Sequence, residues 1–178
     1  MHPFRFAVAR SSAPSGERWV EIARRAESIG YDVLVMPDHL NRQLSPFAAL
    51  AAAAAATTRL RVAAFVFAND YRHPLMLARE AATLDVLSGG RFELGLGAGW
   101  MKSDYRRLGL PYDPAGQRID RLEEAVPLLK RLLSGETVTH RGPHYQLDRA
   151  TSGVEPVSKP RPPLAIGAAT AGERWRNC

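Results

Sequence analysis

The sequence predicts an α/β chain built on a parallel sheet. Three observations carry that expectation. Short apolar runs alternate with segments of helical spacing, and the runs start near residues 4, 32, 60 and 91, about one strand-plus-helix unit apart. The unusual polar groups follow those runs: Asp38-His39, then Asn69-Asp70 with His73, then a glycine-rich stretch and Trp100, with Asp104 and Tyr105 just beyond. Finally, 46% hydrophobic and 24% charged residues in a chain of 178 is a globular balance, which excludes a disordered or collagen-like chain and suits one domain. Two architectures satisfy the alternation, an open doubly wound sheet and a (β/α)8 barrel. In both, the loops after the strands converge on one rim. The first strand-to-helix turn has no GxGxxG, which argues against a Rossmann nucleotide fold.

The elements follow in order. Residues 4–9 (FRFAVA) read as a strand of imperfect alternation. Ser15 suits an N-cap, Trp19, Ile22, Ala23, Ala26 and Ile29 share a helical stripe, and Gly30 ends it. Residues 32–36 (DVLVM) read as a strand buried on both faces. Ser45-Pro46 opens an alanine-rich helix to Thr57. Residues 60–67 are the third strand, and Pro74 starts a helix striped by Leu77, Ala81, Leu84 and Leu87 that Ser88-Gly89-Gly90 stops. Residues 91–97 alternate as a fourth strand, and a long loop runs to about Ala115. Residues 117–133 carry Ile119, Leu122, Val126, Leu129 and Leu133 in helical register, with Pro127 placed to kink or break the helix. A β-hairpin insertion is expected over 135–150, turning about Arg141-Gly142, and 151–163 is a proline-rich loop. Residues 163–167 form a fifth strand, with a small-residue loop opening after it.

Charge and cysteine content narrow the partners. Lysine and arginine exceed the acids by six, but the arginines are scattered and no basic block interleaves with aromatics, so a nucleic-acid partner is not expected. No apolar run reaches the ~18 residues of a membrane span, and the amino terminus lacks a signal-peptide pattern. The single cysteine, Cys178, excludes an internal disulfide and a cysteine-based metal site, which suits a reducing cytoplasm.

Several polar residues could carry chemistry. His39 can exchange a proton near neutrality, since imidazole titrates near 6.5, and an adjacent carboxylate such as Asp38 could orient it. Gly95 to Gly99 (GLGAG) would let a ligand approach the backbone. Residues 167–172 offer free N–H groups for a phosphate. The bland alternatives are a loop histidine and ordinary strand-end turns. His140 and His144 lack a third ligand at metal spacing and read as surface residues, and Glu123-Glu124 reads as a solvated helix face.

Taken in order, these segments resemble the luciferase-like monooxygenase superfamily, and within it the oxidoreductases that use the deazaflavin coenzyme F420. The matching stretches are AESIGYDVLVMPDH, then RLRVAAFVF with the loop to His73-Pro74, then AREAATLDVLSGGRFELGLGAGW. RIDRLEEAVPLLKRLLSGETVTHRGPHYQL and PPLAIGAA complete the match, up to about Gly172. The resemblance implies a (β/α)8 barrel holding a flavin or deazaflavin at its carboxyl-end rim, with hydride transfer at the ring and a small organic substrate. It places Asp38 and His39 beside the ring, with His39 as general acid or base. It implies a non-proline cis peptide at Ala64-Phe65 against the ring face, and a polar contact from Asn69. Gly97, Ala98 and Gly99 would pack against the cofactor, and Ala168, Ala169, Thr170, Ala171 and Gly172 would receive its phosphate. Sugar-phosphate dehydrogenases of this branch carry a catalytic glutamate where this chain has Trp100, so that activity is not expected, and Trp100 reads either as the wall of an apolar substrate pocket or as a packed loop tryptophan.

Only about five strand-helix units are present, where a complete barrel needs at least ~200 residues. Residues 1–178 therefore read as one luciferase-like domain with an incomplete, apparently truncated barrel. Its first and fifth strands would be left as open edges, which a homodimer could cover. The functional expectations are an F420-dependent oxidoreductase, an FMN-dependent monooxygenase, or a flavin-binding protein or fragment without turnover.

Overall fold

A computed structural model describes residues 4–167 of the chain. Parallel strands and helices alternate as the sequence predicts. Strand β1 (Ala7–Ala9) pairs with β2 (Val33–Met36), and β2 with β3 (Arg61–Ala64). The third strand resumes as β4 (Phe67–Ala68), and both pieces lie along β5 (Phe92–Gly97). On the far side of β5 runs β8 (Leu164–Ile166), with Leu94 opposite Leu164. The result is a five-stranded parallel arc, with β1 and β8 each paired on one side among the described residues.

Helices α1 (Gly16–Ser28), α2 (Pro46–Ala55), α3 (Pro74–Leu87) and α5 (Ala115–Leu133) connect successive strands. Their starts follow the expected chemistry. Ser15 Oγ accepts from the Arg18 N–H at 3.2 Å, and Pro46 and Pro74 occupy first-turn positions. Leu34, Met36, Val62, Phe67, Leu94 and Leu96 from the strands pack with Leu50, Leu77, Leu122 and Leu129 from the helices in one core. Removing such side chains from water drives the assembly. Trp19 joins α1 to α2 by donating its indole N–H to the Ala49 carbonyl at 2.7 Å.

The amino end of the arc is tied by two charged side chains. Glu27 Oε1 accepts from the backbone N–H groups of Thr58, Arg59 and Leu60 at 2.9, 2.6 and 2.9 Å. Those bonds, led by the one from Arg59, lower its carboxyl pKa. Arg91 donates to the carbonyls of Ala54, Leu60 and Ser88. The proline-rich segment is anchored too, because Asp85 accepts from the Ser158 N–H and hydroxyl at 2.8 and 2.7 Å.

Four expectations need correction. The first strand covers only Ala7–Ala9, and Phe4 is 92% exposed, because the ladder with β2 begins at Ala7 opposite Val33. The third strand is interrupted at Phe65-Val66. The supposed loop before Ala115 contains a helix, α4 (Lys102–Leu108), which ends on left-handed Gly109 (φ 68°) and buries Asp104 and Tyr105. Pro127 neither breaks α5 nor divides it, since Leu122, Val126, Leu129 and Leu133 stay packed on both sides of the proline. The hairpin is present as β6 (Val138–Arg141) and β7 (Gln146–Ala150). No described helix is long and apolar enough to cross a membrane.

Candidate functional site

The carboxyl ends of β2, β4, β5 and β8 surround a cavity of about 340 Å³. Asp38, His39, Phe65, Gly97, Ala98, Gly99 and Trp100 all line it, so most of the described residues singled out from sequence are brought together. Ala64 is buried beneath and does not line it. Asn69 lies apart, in a neighbouring hollow, where its Nδ2 donates to the Tyr145 hydroxyl oxygen at 2.8 Å. Ala168, Ala169, Thr170, Ala171 and Gly172 lie outside the described residues.

Asp38 does not orient His39. Its carboxylate accepts both ends of the Arg72 guanidinium, Nη1 to Oδ2 at 2.6 Å and Nη2 to Oδ1 at 3.0 Å. Oδ2 also accepts from the Ala68 N–H at 3.1 Å. Arg72 in turn stacks over Phe67, its guanidinium carbon 5.0 Å from the ring centre. Asp38 therefore clamps the second rim loop to the third.

The carboxylate that orients His39 is Asp104, sixty-five residues on. His39 Nδ1 lies 2.9 Å from Asp104 Oδ2, and Asp104 is fully buried. A carboxylate only accepts, so Nδ1 carries a proton and Nε2 is the ring nitrogen left for a ligand. Among the described residues Nε2 has no hydrogen-bond partner. Asp104 Oδ1 accepts from Arg107 at 3.3 Å, and the His39 and Trp100 rings stand nearly perpendicular with their centres 5.6 Å apart.

The cis peptide falls at Phe65-Val66, one residue beyond the expected Ala64-Phe65. Phe65 is 67% exposed at the cavity mouth, while Val66 turns into the arc. There it explains the glycines. A Cβ on Gly97 would sit 2.8 Å from Val66 Cγ2, and one on Gly167 2.8 Å from Val66 Cγ1. A Cβ on Gly95 would meet the Ala64 carbonyl oxygen at 2.1 Å. Gly99 is left-handed (φ 76°), and its missing Cβ leaves room for the Tyr105 hydroxyl. The glycine run thus serves close packing within the protein as well as opening the cavity.

Behind the rim lies a second charged group. Tyr105 Oη is 2.9 Å from Asp70 Oδ2 and 3.2 Å from the Ala98 carbonyl oxygen. Arg121 donates to both Asp70 oxygens at 2.9 and 2.7 Å and to Asp113 at 2.7 Å. Burial, then the Asp70 charge, pushes the Tyr105 hydroxyl far above its ordinary pKa, and burial with Asp104 and Asp38 does the same to Tyr71. Both phenols remain protonated donors.

Glu124 is not a solvated residue, and His140 is not free on the surface. Glu124 Oε1 lies 2.9 Å from His140 Nε2, and the carboxylate accepts the N–H groups of Tyr145 and His144 at 2.9 and 3.1 Å. Burial alone would raise its pKa, but the bonds from His140 and the backbone outweigh burial and lower it. This contact docks the hairpin on α5. Arg72, Arg118 and Val66 are site residues that sequence reasoning missed, and only the fold brings them to the rim.

Residues 1–174 match the family described as luciferase-like monooxygenase. The chain belongs to that family. It is 36% identical over 159 residues to the 4-hydroxyprotoasukamycin monooxygenase of Streptomyces nodosus, covering 86% of this chain and 42% of that protein. It is 34% identical over 175 residues to the F420-dependent glucose-6-phosphate dehydrogenase of Microbacterium testaceum, covering 93% and 51%. Among solved structures, the coenzyme F420-dependent tetrahydromethanopterin reductase of Methanopyrus kandleri superposes with a TM-score of 0.83 at 24% identity, covering 93% of this chain and 50% of that one. The chain spans about half the length of the curated relatives it matches. The five-stranded arc is accordingly the counterpart of half a luciferase-like barrel, and these relatives are oxidoreductases and monooxygenases.

Proposed function

We propose that the cavity is the ring-side half of a redox-cofactor site, that the cofactor is coenzyme F420, and that the chain serves an oxidoreductase acting on a small organic substrate. The observation that carries this reading is His39, oriented by buried Asp104 and sharing one cavity with Gly97, Ala98, Gly99 and Trp100. The residues fit a planar ring. The cavity volume falls in the range of small-molecule sites, its floor is glycine backbone, and aromatic side chains flank its mouth. F420, when bound, supplies a hydride donor or acceptor.

The chain's own groups divide the remaining work. Gly97 to Gly99 and the Phe65-Val66 segment take the ring by close backbone approach. His39 Nε2 gives or takes the proton that accompanies hydride movement, while Asp104 fixes the tautomer. Trp100 shapes the substrate side. Asp38 acts at one remove, by holding the second and third rim loops together. The lone Cys178 supports a cytoplasmic setting, and a homodimer pairing at β1 and β8, each paired on one side among the described residues, fits the arc.

An FMN-dependent monooxygenase is the second reading, favoured by the 36% identity to a monooxygenase. Titrating the 178-residue chain with F420 and with FMN, followed by cofactor fluorescence, decides between them. Saturable micromolar binding of F420 is the expected result, and tighter binding of FMN would favour the second reading. Binding of neither would sink both. Where turnover is found, His39→Ala should lower it ~10²-fold or more, and near wild-type turnover would remove His39 from proton transfer.

A further inference from the structure

We infer that the hollow beside the ring-side cavity is a second binding site, for a small uncharged molecule that carries a hydroxyl group. The hollow measures about 410 Å³, within the range of small-molecule sites. It lies among the short helical turn Asn69–Tyr71, the carboxyl end of α4, the side of α5 and the hairpin. Leu108, Leu110 and Pro111 give it an apolar lining, and Asn69, His73 and Tyr145 a polar one. Tyr71 lines this hollow and the ring-side cavity alike. Tyr105 reaches from the hollow to the Ala98 carbonyl at 3.2 Å. An occupant would therefore sit behind the rim and share a wall with the ring-side cavity, and the inference does not depend on a cofactor.

Asn69 and Tyr145 leave one acceptor and one donor unfilled. Asn69 is only 1% exposed, and its Nδ2 donates to the Tyr145 hydroxyl oxygen at 2.8 Å. Among the described residues, its buried Oδ1 has no hydrogen-bond partner and the Tyr145 hydroxyl proton has no acceptor. Buried groups left unfilled in this way are costly. One hydroxyl group answers both, because it can donate to Oδ1 and accept from the tyrosine. The ion pairs argue that the occupant is uncharged. Asp70 and Asp113 are held by Arg121, and Arg72 by Asp38, so each ionic side chain lining the hollow already faces an opposite charge. His73 Nδ1 accepts from the Leu75 N–H at 3.2 Å, which leaves that ring neutral. The exposed side chains of Leu108 and Leu110 suit an apolar body attached to the hydroxyl.

Phenol and anisole are suitable probes, since they share a ring and differ in whether the oxygen can donate. Both are titrated onto the 178-residue chain without cofactor and followed by NMR. Phenol should bind saturably at millimolar concentration or below, about fivefold or more tighter than anisole. It should shift the side-chain amide resonances of Asn69 and leave the indole N–H of Trp100, in the ring-side cavity, in place. Asn69→Leu combined with Tyr145→Phe removes both polar partners together and leaves no orphan, so the fold should be spared. In that variant phenol should bind no better than anisole. Equal affinity for the two probes in the wild-type chain, the result if a water molecule already fills the gap, overturns the inference. So does a phenol preference that survives the double substitution, or a shift of Trp100 without one of Asn69. Should the double variant fail to fold, the wild-type affinities and the two resonances give the decision. Failure of F420 and FMN to bind would count against the cofactor reading and leave this test decisive.

Discussion

Replacing Asp38 with alanine separates a clamp from a cofactor contact. The substitution removes both acceptors of the Arg72 fork, at 2.6 and 3.0 Å, and the acceptor of the Ala68 N–H at 3.1 Å. What remains near Arg72 is Glu80 at 3.7 Å, a carboxyl whose pKa burial raises. Removing one partner of a fully buried pair costs about 3–5 kcal/mol. The Arg72 side chain keeps 22% of its exposure, so water recovers part of that, and a loss of about 2–4 kcal/mol is expected. Asp38→Asn keeps one acceptor oxygen and should lose roughly half as much. Urea unfolding followed by the fluorescence of buried Trp19 reads both values. Pairing Asp38→Ala with Arg72→Met in a double-mutant cycle should return a coupling of about 1–3 kcal/mol. A loss below about 1 kcal/mol in Asp38→Ala, together with weakened cofactor binding, would refute the clamp and return Asp38 to the ring.

Three further outcomes are expected. Gly95→Ala places a Cβ 2.1 Å from the Ala64 carbonyl oxygen and should cost about 2 kcal/mol or more, whereas Gly116→Ala, with open space around it in α5, should be neutral or slightly stabilising. Similar urea midpoints for the two would discredit the packing account. Glu27 has a lowered folded-state pKa, so its stabilisation is complete above the unfolded value near 4.3 and fades as pH falls through the folded one. Glu27→Gln should therefore lower stability at pH 7 and flatten the acid limb, and an unchanged limb in pH-dependent melting would count against it. In Asp104→Asn, nitrogen NMR of the His39 ring should show population moving from the Nδ1–H to the Nε2–H tautomer, and an unaltered spectrum would free His39 from Asp104.

Much of the arc is legible in the sequence because its signals are local. Ser15 before a stripe of Trp19, Ala23 and Ala26, and Pro46 and Pro74 at helix starts, announce themselves within a few residues. The rim is less legible, because its partners are remote. Nothing near Asp38 points to Arg72, and nothing near His39 points to Asp104. The adjacent Asp38-His39 pair even suggests the wrong carboxylate. Glu124 looks solvated beside Glu123 until the hairpin folds over it. Short α4 is hidden by its polarity, although Gly109 was a stop signal for it. Arg118 and Arg121 sit three apart on one helix and look alike in sequence. Among the described residues Arg121 meets two carboxylates and Arg118 meets none, a difference made by tertiary structure.

Val66 has a consequence for anyone reshaping this cavity. Its two methyls occupy the space that Cβ atoms on Gly97 and Gly167 would need, so neither glycine can be exchanged while Val66 stands. Val66→Ala would remove both obstructions at once. Positions 97 and 167, on two different strand ends, then become open to side chains that the native sequence forbids. Libraries varying the glycines alone would carry a clash with Val66 in every member, while libraries that begin from Val66→Ala would explore new cavity floors. The order in which mutations are introduced would decide what the scaffold can become.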